Sequence, residues 1–258
     1  VAALTGTLKI GEAISGFANS AIWLIVGAFL FSRGFIKTGL GKRIAYNLIA
    51  AFGSSSLRLA YALALSDLIL APATPSNTAR VGGVIMPITT SLAKAFGSEP
   101  QDGPRKIGSF LMQSIYQVNT ITSAMFQTSM AGNTLVAALA LQSFGIGITW
   151  GDWAMAAIVP GIIALIIMPY FIYKVYPPEI KDAREAQQMI REELKGLGKM
   201  SFQEWVMLGV FILALVLWAT SQFTKLDATT VAFLGISILL ATGVLIWDDV
   251  KSEKGAWD

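Results

Sequence analysis

Charge is missing from long stretches of this chain, and the lengths of those stretches constrain its fold most. No Asp, Glu, Lys or Arg lies between Glu12 and Arg33, a run of 20 residues. None lies between Lys106 and Asp152, a run of 45. Residues 153–173, 205–224 and 228–247 add runs of 21, 20 and 20. About 20 predominantly apolar residues cross a ~30 Å hydrocarbon core as helix. A soluble bundle gives no reason for that length to recur. The chain therefore reads as all-α, a polytopic membrane protein whose main partner is the lipid bilayer. Charged residues make up 14% of the 258, against about 25% in soluble domains.

Composition removes several functions. A net charge of +3 is too small to steer polyanions, so no nucleic-acid partner is expected. With no Cys and no His, disulfides, thiol redox chemistry, Cys/His metal sites and histidine acid–base catalysis are excluded in this segment. No acid pair sits mid-span either, so neither an enzyme nor a cofactor is expected. The first residue is Val and no signal peptide is evident, so the chain reads as truncated at its start.

Along the chain, 13–32 is a candidate span, followed by Arg33, Lys37, Lys42 and Arg43. Two apolar stretches, 57–71 and 79–93, flank Pro72-Ala73-Thr74-Pro75-Ser76-Asn77-Thr78. Each has ~15 residues, or ~22 Å of helix, short of the bilayer core. Together, 57–93 reads as a re-entrant hairpin, tolerated at membrane depth where its backbone is covered by protein or lines a polar cavity. A broken span is expected over 107–143. Gln113, Gln117, Thr120 and Gln127 form a polar face there that should turn inward, and the break is expected near 128–134. A span at 153–176 ends in Tyr170, Tyr173 and Tyr176, an aromatic belt. Residues 177–202 read as an extramembrane linker helix. Spans at 203–223 and 228–247 follow, with Trp205, Trp218 and Trp247 as interfacial anchors. A hairpin at 57–93 places the basic segments 33–43, 97–106 and 177–202 on one side, cytoplasmic by the positive-inside rule.

The sharpest local signal is Ser76-Asn77-Thr78, where a helix opens just after Pro75. Helix N-termini bind anions through free N–H groups and the dipole, and broken helices in transporters hold cations on their oxygens. Ser and Asn equally serve as ordinary caps. Arg80, in the first turn, is a candidate to hold a substrate carboxylate as a bidentate pair; pairing with Asp67 or reaching water are the alternatives. The 128–134 cluster either faces the hairpin tip and completes an ion or substrate site, or packs helices closely.

These motifs resemble the divalent anion:sodium symporter (DASS) family. The run Ala73-Thr74-Pro75-Ser76-Asn77-Thr78-Ala79-Arg80 with Gly82-Gly83 and Pro87-Ile88 is similar to its first SNT hairpin. Ser129-Met130-Ala131-Gly132-Asn133, Tyr176-Pro177-Pro178-Glu179 and Trp247-Asp248-Asp249 follow in the family's order. The subgroup resembled is the bacterial citrate and dicarboxylate carriers and plastid 2-oxoglutarate/malate translocators.

The resemblance implies secondary active transport of di- or tricarboxylates by an elevator-type motion of two inverted repeats, as a homodimer, here in a bacterial inner membrane. It implies Asn77, Thr78, Arg80 and Asn133 at a substrate carboxylate. It implies Ser76, Asn77, Ser129 and Gly132 around a sodium ion. Many sodium-coupled relatives carry Gly-Thr/Ser-Pro-Pro-Asn at the second break. This chain departs from that pattern, so sodium symport and dicarboxylate exchange both stay open.

Family members are nearly twice as long, which makes this an internal fragment, half of such a transporter. Residues 1–56 would be a scaffold helix and cytoplasmic basic segment, and 57–176 the transport part of repeat one. Residues 177–202 would be the cytoplasmic linker, and 203–258 the first spans of repeat two. The competing readings are a cation/proton antiporter using Asp67 and a non-transporting remnant.

Overall fold

The computed structural model describes residues 1–257. Capping residues set the helix ends. Asn19 accepts from the Ala21 N–H at 2.9 Å and opens α1 (Ser20–Thr38). The first span thus starts later than the expected 13–32. Upstream, Gly11, Ser15 and Gly16 are weak helix formers, and only the short turns Ile10–Ala13 and Ser15–Ala18 form. The helix instead runs on through Arg33 and Lys37, which face Asp249 at 3.8 and 2.5 Å. Gly39, at φ 76°, ends α1 and leads directly into α2 (Leu40–Phe52).

The chain does reverse within 57–93. Helix α3 (Ser56–Leu70) continues as a 3-10 turn at Ala71–Ala73. Thr74 and Ser76 are extended. Helix α4 then covers 77–95, built from Asn77–Arg80, a π segment Val81–Ile85 and Met86–Ala95. Pro87 has no N–H for the Gly83 carbonyl, which accounts for a π segment just before it. Both ends of the hairpin lie on one side. The Ser56 hydroxyl donates to Ile180 C=O at 2.5 Å, and the Ile180 N–H donates to Lys106 C=O at 2.9 Å. Lys106 Nζ in turn reaches Gly97 C=O at 3.0 Å.

The legs are longer than the expected 15 residues. The first is helical for 18 residues, Ser56–Ala73, because Pro72 fits the first turn of a 3-10 helix rather than stopping the chain.

After the hairpin, α5 (Gly108–Met125) ends at extended Phe126. A 3-10 turn, Gln127–Ser129, and extended Met130 precede α6 (Ala131–Phe144). The break thus centres on 126–130, slightly before the expected 128–134. The expected polar face is only partly inward: on α5 Gln117 is half-buried and Gln113 and Thr120 are exposed, while Gln127, in the following 3-10 turn, is buried. Ser114, Thr122 and Ser123, one step around the helix, take the buried positions.

Helix α7 (Trp150–Val175) opens on a Thr149/Asp152 capping box and leaves most of its surface unburied by the rest of the chain. Helix α8 (Arg184–Gly196) lies on α2, with Gln187 Nε2 donating to Ala50 C=O at 2.8 Å. Helices α9 (Phe202–Ala219) and α10 (Ala228–Ala241) pack on α1. Gly235 of α10 lies so close to α1 that an added Cβ would fall 2.8 Å from Phe31 Cε2. The expected span at 228–247 ends early, at Ala241, where Gly243 adopts φ 72° and reverses the chain.

Trp205 and Trp247 are exposed anchors, but Trp218 is 1% exposed and belongs to the core. It stacks on Trp150 at 6.0 Å, and Trp150 stacks on Phe126 at 5.6 Å. With Phe31 6.4 Å from Trp218, an aromatic column runs from α1 to the second break. Among the described residues, four helices are long and apolar enough to cross a membrane. The protein is an integral, multi-pass, all-α membrane protein.

Candidate functional site: two backbone breaks joined at a hairpin tip

The two irregular segments meet. Pro75 C=O accepts from the Ala131 N–H at 3.0 Å. Thr128 Oγ1 donates to Pro72 C=O at 2.5 Å and accepts from the Trp150 indole N–H at 2.9 Å. The tip therefore reaches the level of the first turn of α7, farther than two half-length legs would carry it.

Ser76 caps α4: its hydroxyl oxygen accepts from the Ala79 N–H at 3.1 Å. Asn77 Oδ1 accepts from the Thr78 N–H at 2.9 Å. The Asn77 amide hydrogens and the Thr78 hydroxyl have no partner among the described residues, and Thr78 is exposed. Such neutral donors, at the positive end of a helix, suit an acceptor-only anion such as a carboxylate.

Beneath the tip lies a buried ion pair. Arg80 Nε meets Asp67 Oδ1 at 2.9 Å, with side-chain exposures of 0% and 2%. Arg80 Nη1 donates to Thr74 C=O (2.9 Å) and Ser129 C=O (3.2 Å). Its Nη2 donates to Thr122 Oγ1 (3.2 Å) and Ser123 Oγ (2.9 Å). Asp67 Oδ2 also accepts from the Thr122 hydroxyl and from Asn119 Nδ2 (3.4 Å). A guanidinium carries five N–H donors, and each has an acceptor here.

On the other side of the second break, a cavity of about 1160 Å³ is bordered by Gln127, Thr134, Trp150, Asp152 and Ser221.

Residues 1–258 match the family described as the sodium:sulfate symporter transmembrane region. The chain belongs to the sodium:sulfate symporter family. This is the DASS family that the motifs resemble. It is 55% identical to the putative malate transporter YflS of Bacillus subtilis, covering 100% of this chain and 54% of that protein. It is 47% identical to the chloroplastic dicarboxylate transporter 1 of Spinacia oleracea, over 99% of this chain and 45% of the relative. It is 46% identical to the inner membrane protein YbhI of Escherichia coli, over 98% and 53%. The chain spans about half the length of the curated relatives it matches.

Three of the expected ligands have their polar groups engaged within the protein. Arg80 does not present its guanidinium to a substrate carboxylate: it is enclosed, and Asp67 and four neutral acceptors take its donors. Asn133 donates both amide hydrogens, to Ser123 C=O (2.7 Å) and Phe126 C=O (2.9 Å), closing the end of α5. It has no donor left for an anion. Ser129 turns its carbonyl to the Arg80 cation at 3.2 Å, and its hydroxyl donates to Ser123 C=O at 2.6 Å.

Ser76, Asn77, Thr78 and Gly132 remain near the junction, Gly132 by way of the Ala131–Pro75 contact. The Asp67–Arg80 pairing had one signal in the sequence: the two opposite charges flank the hairpin tip, one on each leg. Thr122 and Ser123 carried none, while Thr128 fell within the polar 128–134 cluster.

Proposed function

We propose that this chain forms part of a secondary carrier for dicarboxylates of the malate, succinate or 2-oxoglutarate type, with citrate as the tricarboxylate counterpart. The observation that carries the reading is the pair of unpartnered donors, on half-buried Asn77 and exposed Thr78, beside a hairpin tip docked on a second backbone break. Asn77 and Thr78 receive one substrate carboxylate, aided by the N-terminal end of α4. Transport follows from an elevator-type movement that changes which side the tip faces. The names of the relatives support the substrate class.

Where sodium is co-transported, Ser76, Asn77 and Gly132 supply its oxygens in this half. Where it is not, the carrier exchanges one dicarboxylate for another. The working protein is a homodimer in a bacterial inner membrane, with the segments 33–43, 97–106 and 177–202 in the cytoplasm. The antiporter alternative is disfavoured because Asp67 is bound to Arg80.

Proteoliposomes holding the full-length carrier test this. Uptake of labelled malate, driven by a sodium gradient or by internal dicarboxylate, is expected. Absence of uptake under both conditions refutes the reading, and counterflow without sodium excludes obligatory symport.

A further inference from the structure

The sodium:sulfate symporter assignment gives no role to the buried Asp67–Arg80 pair, and neither residue can meet substrate. We infer that Arg80 is a positioning residue: held by Asp67, it clasps the hairpin tip to the second break and sets the spacing on which the site depends. This rests on the carrier reading for its transport arm only.

The geometry is specific. One Arg80 nitrogen, Nη1, touches a main-chain carbonyl in each break, Thr74 at 2.9 Å and Ser129 at 3.2 Å. The other, Nη2, is fixed by the last turns of α5 at Thr122 and Ser123. Asp67 comes from the first leg of the hairpin and Arg80 from the second, so the pair also closes the hairpin on itself.

Thr74 and Ser129 are extended or 3-10 positions, whose carbonyls regular helix bonding does not satisfy. A planar fork with five fixed donors meets them at set angles; a lysine ammonium, with three, does not. A buried ion pair of this kind is weak evidence for stability, since well-packed apolar residues often replace one without loss. Its clearer consequence is geometric. Asn77 and Thr78 lie within the same helical turn as Arg80, so a shift of the guanidinium shifts them.

The test separates positioning from plain structural support. This chain contains no cysteine, so a Pro75→Cys/Ala131→Cys pair reports the spacing of the breaks without background from this region. The pair is introduced into the full-length carrier in membranes and bridged by mercuric ion. Bridging is read as protection from a polyethylene-glycol maleimide. The decisive variant is Asp67→Leu/Arg80→Met, which removes both charges together and fills the space with apolar atoms. Expected are a lowered unfolding midpoint, because the buried Thr74 and Ser129 carbonyls lose their donor, bridging reduced about tenfold, and an apparent KM for malate raised about tenfold, the effect of misaligning one bond to a charged group.

Parent-like bridging and KM in that variant overturn the inference. Should the double variant not accumulate, Arg80→Lys decides: it keeps the charge opposite Asp67 but cannot span Thr74 and Ser129. Reduced bridging there supports the clasp, and parent-like bridging overturns it. If the parent bridges yet transports no dicarboxylate, the carrier reading fails while the clasp stands on the bridging result.

Discussion

Replacing Glu204 by Gln tests how the start of the last spans is tied to the basic segment. Glu204 sits in the first turn of α9 and meets Arg43 of α2, Nε to Oε1 at 2.6 Å and Nη2 to Oε2 at 3.2 Å. Its Oε2 also accepts from the Ser201 N–H at 2.8 Å. Arg43 Nη1 donates to Gly198 C=O at 2.9 Å. The side chains are 11% and 8% exposed, so solvent screens the pair little. Gln keeps the shape but has one acceptor oxygen, so at least one of the three bonds is lost and an N–H is turned against a donor.

Removing one partner of a buried pair outright costs about 3–5 kcal/mol. With a bond or two retained, Glu204→Gln should cost about 2–4 kcal/mol. At roughly 2–4 °C per kcal/mol for a chain of this size, Tm falls by about 4–16 °C. The double variant Arg43→Met/Glu204→Leu should recover most of that loss, because no charge is left stranded. Thermal unfolding of the purified protein in detergent, followed by tryptophan fluorescence, measures both. A single variant within about 1 °C of the parent, or a double variant less stable than the single, refutes the reasoning.

Three further outcomes follow from the geometry. Asn77→Ala and Thr78→Val should each weaken dicarboxylate binding about 10–100-fold, the value of a bond to a charged group. Abundance should not change, because neither side chain holds another element; a binding titration with unchanged affinity removes these residues from the site. Gly161→Leu should cost about 1–3 kcal/mol, because a Cβ there would lie 2.6 Å from Met125 Cγ and push α7 off α5; a parent-like unfolding midpoint contradicts that packing.

The third concerns Asp249. Burial pushes its carboxyl up, but bonds from Lys37 and the Ile246 N–H, with the charges of Lys37 and Arg33, outweigh it and hold the group below the usual carboxylate range. A depressed folded value means that its stabilisation is complete above about pH 4, the unfolded value, and is lost as pH falls through the folded one. Tm measured from pH 6 down to 3 should drop more steeply in the parent than in Asp249→Asn, and parallel curves refute this.

Hydrophobic run length is a local property, and the sequence alone was enough to establish a helical, multi-pass membrane protein. Local chemistry also marked the chain reversal at Pro72–Ser76 and the interruption after α5, since extended backbone and caps are written in neighbouring residues. Positions of helix ends were less legible. Asn19 and Gly243 moved two spans, because a cap or a left-handed glycine overrides apolar composition within one turn.

The site divided in the same way. Asn77 and Thr78 could be named from their place at a helix start. Whether Arg80, Ser129 and Asn133 faced a ligand could not, because all three could bond either outward or inward. Only the docking of the hairpin on the second break decided it, bringing Asp67, Thr74, Thr122 and Ser123 around one guanidinium and two carbonyls against one amide. A buried polar group takes the partners that tertiary packing supplies, and around this pair those partners lie up to 55 residues away along the chain.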